Sequence, residues 1–216
     1  MAGRLIAFEG GEACGKSTQA ARLAQRLGAV LTREPGGTAL GEAVRDLVLH
    51  GPSDGFDARA ESLLMLAARA QHVSEVVAPA LGSGRDVVTD RFSHSTLAYQ
   101  GYGRGLDLDE LTRLCSWAAQ GIWPDVVILL DVPAELAWER VGRATDRLEA
   151  AGAGFHLRVA EGFAAMAAAA PAGWLVVDGT GTVEEVADRV GASFDRWATR
   201  SGGGQPQVAG PASARR

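Results

Sequence analysis

Short apolar runs alternate with longer amphipathic segments along most of this chain. Residues 5–8, 30–32, 86–89, 126–130 and 175–177 are brief, mostly apolar runs that predict five buried strands. Strands that alternate with helices form a parallel sheet with helices on both faces. The pattern therefore predicts an α/β fold in one domain over residues 1–200.

The segments between these runs have helical spacing. Residues 17–27, 58–81, 108–119, 135–140, 155–170 and 183–197 are predicted helices, and Thr38 can cap another that ends near Leu49. We expect a bend at Pro79. Residues 201–216 are rich in Gly, Pro, Ser and Ala, so a disordered tail is predicted. The five tryptophans lie on apolar faces and are expected in the core.

The first strand leads into a glycine-rich loop with chemistry of its own. Residues 10–17 read GGEACGKS and fit G-x-x-x-x-G-K-[ST], between a predicted strand and a predicted helix. Backbone N–H groups of such a loop cradle phosphates, Lys16 reaches the β- and γ-phosphates, and the Ser17 hydroxyl binds Mg²⁺. The residues expected to contact ATP are Gly10, Gly11, Glu12, Ala13, Cys14, Gly15, Lys16, Ser17 and Thr18.

The composition narrows the class of nucleotide-binding protein. Lys16 is the only lysine among 21 basic residues, which indicates a site that needs a compact ammonium. A GTPase would need a second lysine in Asn-Lys-x-Asp, and the Leu-Ser-Gly-Gly-Gln signature of ABC ATPases is absent. A small-molecule kinase is favoured.

The net charge, the cysteines and the histidines argue against nucleic-acid-binding, membrane, disulfide-rich and metal-binding proteins. A net charge of −5 does not favour nucleic-acid or membrane binding, and the apolar run after Arg4 is too short to span a bilayer. Two cysteines, Cys14 and Cys115, form no disulfide framework, so a cytoplasmic location is expected. The four histidines have no metal-binding spacing.

A second polar group follows the third predicted strand. Asp90 and Arg91 lie at its carboxyl end, where α/β proteins bind ligands. Asp90 can hold Mg²⁺ through water, and Arg91 can bridge phosphates. An ordinary ion pair at a strand end is the alternative.

Four further motifs follow the phosphate loop in a fixed order. They are REPGGT at 33–38, AARAQ at 67–71, DRF at 90–92 and STLAYQG at 95–101. With the loop they resemble the bacterial thymidylate kinase family over about residues 4–196. The resemblance implies a P-loop kinase fold with a five-stranded parallel sheet and a small mobile lid. It also implies ATP and Mg²⁺ as cofactors, dTMP as substrate and a homodimer.

The resemblance also assigns roles to residues of the acceptor side. Arg69 is expected to hydrogen-bond the thymine and Arg91 to hold the acceptor phosphate. Ser95 and Gln100 line the base pocket, and Tyr99 packs where a ribose 2′-hydroxyl would project. Glu12 faces the acceptor sugar and phosphate. Met65 stands where the family usually stacks a phenylalanine on the base.

The charged stretch at 143–149 matches the family's lid, expected at about 143–152. The phosphate loop has no arginine at Ala13 or Cys14, so the chain resembles the members whose catalytic arginine comes from the lid. Arg143 and Arg147 are the candidates, and with Lys16 and Arg91 they complete the expected catalytic set. A solvated helix end with internal ion pairs is the alternative for this stretch.

Two further functions stay open. One is another nucleotide or deoxynucleoside kinase with a different base preference. Two departures from the family pattern leave it open: Met65, and Phe92 in place of the commoner tyrosine. A non-catalytic protein that binds nucleotide through its P-loop is the other alternative. It is less favoured because Lys16, Ser17, Asp90 and Arg91 together supply the parts for phosphoryl transfer.

Overall fold

A computed structural model describes residues 2–51, 55–133, 136–137 and 148–201 of the chain. Its centre is a five-stranded sheet in which all neighbouring strands are parallel, in the order β2-β3-β1-β4-β5. The strands are β1 (Leu5–Glu9), β2 (Val30–Arg33), β3 (Val87–Asp90), β4 (Val126–Asp131) and β5 (Trp174–Asp178). The predicted five-stranded parallel sheet and the α/β class are confirmed.

Helices connect successive strands, as parallel pairing requires. The α-helices are α1 (Lys16–Leu27), α2 (Ala39–His50), α3 (Ala58–His72), α4 (Ala78–Gly82), α5 (Ser93–Thr96), α6 (Leu108–Ala118), α7 (Ala153–Ala169) and α8 (Val183–Ser201). A short 3₁₀ turn, Glu149–Ala151, precedes α7. The Thr38 hydroxyl accepts a hydrogen bond from the Gly41 backbone N at 3.0 Å, which confirms the predicted cap of α2.

The central strand β1 is buried on both faces, which explains the apolar run at its residues 5–8. Ile6 and Phe8 pack on one face beneath α1 and α8. Leu5 and Ala7 pack on the other face, against Val73 and Val77. Alternate side chains of one strand thus fill the two layers of the core.

Two π-helical segments depart from the predicted pattern. The long helix predicted over residues 58–81 is interrupted at Val73–Val77, ahead of the bend expected at Pro79. Proline lacks an N–H and its ring crowds the carbonyl four residues earlier, and a wider preceding turn accommodates both effects. The segment Leu97–Gly103 continues α5 as a second π-helix, which the sequence pattern did not predict.

The register of the sheet sets the position of the loops. Phe8 pairs with Asp90 across β1 and β3, and Arg33 pairs with Asp90 across β2 and β3. The carboxyl ends of β1, β2 and β3 therefore meet at one edge of the sheet. The loop at 10–17, the REPGGT loop and Asp90-Arg91 all begin there.

Several predictions differ from the structure or lie outside the residues it describes. Trp123, Trp174 and Trp197 are buried, but Trp117 is 80% exposed, so the prediction of a core position is wrong for Trp117. The predicted helix at 135–140, apart from residues 136–137, and the first half of the lid, with Arg143 and Arg147, lie outside the described residues. The predicted tail at 201–216 starts one residue too early, because Ser201 is the last residue of α8, and residues 202–216 lie outside the described residues. Within the described ranges, no helix is both long and apolar enough to cross a bilayer.

Candidate active site

The phosphate loop connects β1 to α1 and needs glycine at both ends. Gly10 has φ 142° and Gly15 has φ 91°, values that favour glycine. A Cβ atom on Gly10 would lie 2.7 Å from the Leu130 carbonyl oxygen. The loop therefore curls tightly against β4 and delivers Lys16 at the first position of α1.

Lys16 is the buried cation of this loop. Only 6% of the residue is exposed, and its Nζ donates a hydrogen bond to the Gly11 carbonyl at 2.5 Å. The Cys14 Sγ lies 3.5 Å from the same Nζ. The ammonium is thus held within the curl of the loop, where phosphates bind in P-loop proteins.

Ser17 and Asp90 bring oxygen ligands together beside the loop. The Ser17 hydroxyl donates a hydrogen bond to Oδ2 of Asp90. The other oxygen, Oδ1, is buried and has no hydrogen-bond partner among the described residues. Hydroxyl and carboxylate oxygens are the ligands that Mg²⁺ prefers, so this pair fits the expected cation.

Arg91 links the phosphate loop to the segment that follows β3. Its backbone has φ 69°, a left-handed conformation that is uncommon outside glycine. One terminal nitrogen donates to the Gly10 carbonyl at 3.2 Å and to the Ser95 hydroxyl at 3.1 Å. The other donates to the Glu12 carboxylate at 2.8 Å and to the Tyr99 hydroxyl at 3.0 Å.

The Glu12 carboxylate also accepts a hydrogen bond from the Tyr99 hydroxyl. Burial alone would raise the pKa of Glu12, but the charges of Arg91 and Lys16 outweigh it and lower that pKa to about 2. Glu12 is therefore ionised at neutral pH and is not a proton donor there. The sequence predicted that Glu12, Arg91 and Tyr99 belong to one site, and the structure brings them into direct contact.

A second acidic residue, Glu9, lies beneath this group and was not predicted. Glu9 is fully buried at the end of β1 and accepts hydrogen bonds from the Phe92 backbone N at 2.9 Å and the Ser95 hydroxyl at 2.6 Å. Burial raises its pKa to about 7, although the Ser95 bond and the charge of Arg91 oppose the shift. Glu9 thus ties β1 to the start of α5.

The raised pKa of Glu9 predicts a pH dependence of stability. Its value rises from 4.5 to about 7 on folding, so the folded state binds the proton more tightly. The stabilising contribution is complete below about pH 4.5 and is lost as the pH rises through about 7. In thermal unfolding from pH 5 to 8, the Tm of wild type should fall relative to that of Glu9→Gln, which has no proton to lose.

The control for this experiment is Glu110→Gln, an exposed glutamate on α6. This variant should follow the wild-type pH profile. A difference in Tm between wild type and Glu9→Gln that stays constant over the whole range would contradict the linkage.

Behind the acceptor side, Glu34 anchors Arg69. The Arg69 Nε donates to the Glu34 carboxylate at 2.8 Å, and both residues are about 95% buried or more. The ring of His72 lies 2.9 Å from the other carboxylate oxygen and 2.7 Å from the Thr32 hydroxyl. Burial opposes ionisation of Glu34, but the charge of Arg69 and the bond to His72 prevail and lower its pKa.

Arg69 faces a cleft together with the other predicted acceptor residues. The lining residues are Glu12, Glu34, Pro35, Met65, Arg69, Arg91, Phe92, Ser95, Thr96, Tyr99 and Gln100. The structure therefore gathers Met65, Arg69, Ser95, Tyr99 and Gln100 at one place, as the sequence predicted.

A neighbouring cavity of about 530 Å³ lies on the phosphate side. Lys16, Ser17, Asp90 and Arg91 line it, together with Arg33 and Arg45. The sequence analysis did not single out Arg45, because one arginine on an amphipathic helix looks like any solvated charge. Thr18, in contrast, is exposed on α1 and lines neither the cleft nor this cavity.

The fold and the site together define a P-loop nucleotide phosphotransferase: a phosphate loop and an arginine-lined acceptor cleft meet at the carboxyl edge of a parallel sheet. The sequence model of one family, thymidylate kinase, matches residues 8–190. The chain belongs to the thymidylate kinase family.

Individual relatives agree with this assignment. A thymidylate kinase of Synechococcus sp. is 50% identical over 190 residues, which are 86% of this chain and 91% of the relative. A thymidylate kinase of Cutibacterium acnes is 47% identical over 196 residues, 88% and 95% of the two chains. The crystal structure of thymidylate kinase from Ehrlichia chaffeensis superimposes with a TM-score of 0.75 at 30% identity. That match covers 90% of this chain and 100% of the other.

Proposed function

We propose that this protein transfers the γ-phosphoryl group of ATP to dTMP and so forms dTDP and ADP. One observation carries the proposal: the phosphate loop and the acceptor cleft share residues, because Arg91 bonds both Gly10 and Glu12 of the loop and lines the cleft. A donor phosphate in the loop would therefore lie beside an acceptor phosphate held by Arg91.

The donor side consists of the loop and the start of α1. Backbone N–H groups and Lys16 hold the β- and γ-phosphates, and the N-terminus of α1 adds its positive dipole. Ser17 and Asp90 would hold Mg²⁺, which neutralises charge on the donor phosphates when it is bound. The Asp90 Oδ1, which has no hydrogen-bond partner in the described part of the chain, supports this assignment.

The acceptor side has a separate part for each portion of dTMP. The Arg91 guanidinium holds the phosphate, and Arg69 and Gln100 supply hydrogen bonds to the base, with Met65 and Phe92 as apolar walls. The Tyr99 ring packs against the sugar, where a 2′-hydroxyl would have no room. Ser95 fixes Arg91 through the hydrogen bond at 3.1 Å.

The reaction itself needs no side chain as nucleophile or base. An oxygen of the acceptor phosphate bonds to the γ-phosphorus as the bond to the ADP oxygen breaks. The protein positions the two phosphates and neutralises charge on the transferred group. Glu12 stays ionised throughout and keeps Arg91 aimed between the two sites.

The experiment that tests the function is an ADP-release assay with ATP and a panel of acceptors. dTMP, dUMP, UMP, dCMP, dAMP and dGMP are compared by kcat/KM. We expect dTMP to be the best acceptor and UMP to be poorer than dUMP. A higher efficiency with another base would favour the kinase of altered base preference that Met65 leaves open. No turnover with any acceptor would favour the non-catalytic alternative.

We further propose that the lid supplies the arginine that contacts the transferred phosphoryl group. Arg143 and Arg147 are the candidates, because the loop offers none. Arg143→Ala and Arg147→Ala should lower kcat by more than they raise KM for ATP, since an arginine that acts on transition-state charge contributes little to ground-state binding. Unchanged kcat in both variants would contradict the assignment.

The protein is also proposed to be a homodimer. Three exposed apolar side chains, Leu47, Leu63 and Trp117, lie on α2, α3 and α6, and α3 contacts both other helices. Exposed apolar surface of this kind is typical of protein–protein interfaces. Sedimentation at micromolar concentration measures the mass, and a monomer would contradict the proposal.

A cytoplasmic location is proposed on the basis of the cysteines. Cys14 and Cys115 are both free thiols. Free thiols are typical of reducing compartments. Recovery of the protein in a periplasmic or secreted fraction of its cells would contradict this location.

A further inference from the structure

A buried carboxylate, Glu61, lies directly behind the acceptor cleft. Glu61 is in the first turn of α3 and is fully buried. One carboxylate oxygen accepts a hydrogen bond from Nε2 of Gln100 at 2.9 Å. Gln100 is itself 1% exposed and lines the cleft, whereas Glu61 does not. Glu61 therefore acts on the cleft through Gln100.

A cation accompanies this carboxylate. Arg104 bonds Glu61 through its Nε at 3.3 Å and its Nη2 at 3.2 Å. The same guanidinium lies over the ring of Phe155, 4.5 Å from its centroid. The ion pair compensates for the burial of the Glu61 charge, which would otherwise be unfavourable. The Phe155 ring, in turn, holds the Arg104 side chain in place.

The contact with Glu61 determines which end of the Gln100 amide faces the cleft. A primary amide is planar, with N–H donors on one side and a carbonyl acceptor on the other. An ionised carboxylate accepts hydrogen bonds and donates none. Only one amide orientation therefore satisfies both groups, and it directs the carbonyl oxygen of Gln100 away from Glu61.

We infer that Glu61 is a specificity-determining positioning residue: it holds the Gln100 carbonyl toward the base, so that the cleft offers an acceptor from Gln100 beside a donor from Arg69. This inference rests on the proposed function. Thymine and uracil carry an N3–H donor next to the O4 acceptor and match this pair. Cytosine carries an N3 acceptor next to an N4–H donor and opposes both partners.

The test is Glu61→Gln, assayed with dTMP, dUMP and dCMP. A neutral glutamine can donate to or accept from Gln100, so the amide of Gln100 is free to turn over. The ratio of kcat/KM for dTMP to that for dCMP should fall about tenfold, because the Gln100 amide can then turn its N–H group toward the N3 acceptor of cytosine. Arg69 still opposes cytosine, which keeps dCMP the poorer acceptor.

The ratio of dTMP to dUMP is the internal control. Both bases present the same N3–H and O4 edge, so this ratio should not change. Glu184→Gln is the matched control variant, because Glu184 also pairs with an arginine, Arg22 at 3.3 Å, but lines neither the cleft nor the phosphate cavity. Both of its ratios should equal those of wild type.

A second variant allows for the case in which Glu61→Gln does not fold. Glu61→Gln with Arg104→Gln removes both charges together and leaves no unpaired guanidinium, and the same tenfold fall is expected. If the folded variants lose activity equally with all three acceptors, Glu61 only joins α3 to the following segments, and the inference is wrong. Failure of wild type to phosphorylate dTMP would instead overturn the proposed function itself.

Discussion

Lys16→Arg should lower kcat/KM by at least about 100-fold, although the substitution keeps the positive charge. This corresponds to ~2.7 kcal/mol of transition-state stabilisation. The ammonium is 6% exposed and lies 2.5 Å from the Gly11 carbonyl, inside a loop that curls around it. A guanidinium is wider and planar, so it would occupy the space of the phosphates or open the loop.

The matched control for this prediction is Arg22→Lys, the reverse exchange on the same helix. Arg22 is on the surface of α1 and pairs with Glu184 at 3.3 Å. Exposed ion pairs of this kind contribute little to stability, so both activity and Tm should stay near wild type. Activity of Lys16→Arg within about tenfold of wild type would contradict the requirement for a compact ammonium in this loop.

Arg91→Lys should lower kcat/KM by roughly 100-fold. Lysine keeps the positive charge, but it lacks the forked guanidinium that binds several partners at once. The guanidinium bonds Gly10, Ser95, Glu12 and Tyr99 through two nitrogens. A single ammonium cannot reach these partners and an acceptor phosphate together. Lysine experiences the same backbone strain at φ 69° as arginine, so the comparison isolates the side chain.

Arg4→Lys provides the control for Arg91→Lys. Arg4 also bonds a carboxylate through two nitrogens, that of Asp86, but it lies just before β1, at the edge of the sheet opposite the site. Its replacement should lower Tm slightly and leave kcat/KM unchanged. Equal losses of activity in the two variants would mean that Arg91 acts through stability rather than through the phosphate.

The sequence predicted the parts of the site that are fixed by local patterns. The strand, glycine loop and helix around Lys16 follow from periodicity and a motif. The Asp90-Arg91 pair follows from its place at the end of an apolar run. The acceptor residues Arg69, Tyr99 and Gln100 came from the family resemblance, and the structure places them together.

Buried carboxylates could not be predicted in the same way. Glu9 and Glu61 are both fully buried, yet charged residues are almost never fully buried unless they are paired. Their partners are 39 to 86 residues away in the chain, so no local pattern reveals the pairing. The π-helix at Leu97–Gly103 escaped prediction for a related reason, since its apolar positions are set by packing against α6 and α7.

The register of β1 against β3 limits where the fold can accept inserted or deleted residues. Phe8 lies opposite Asp90, and this pairing, with the conformation of the phosphate loop, determines how far Ser17 is from the Asp90 carboxylate. One residue inserted within either strand would displace one group by about 3.3 Å along the sheet and turn every later side chain to the other face. An insertion in the connection at residues 83–86, at the opposite edge, leaves that pairing unchanged. Natural length variation should therefore collect at the amino-terminal edge of the sheet and be rare within β1 and β3.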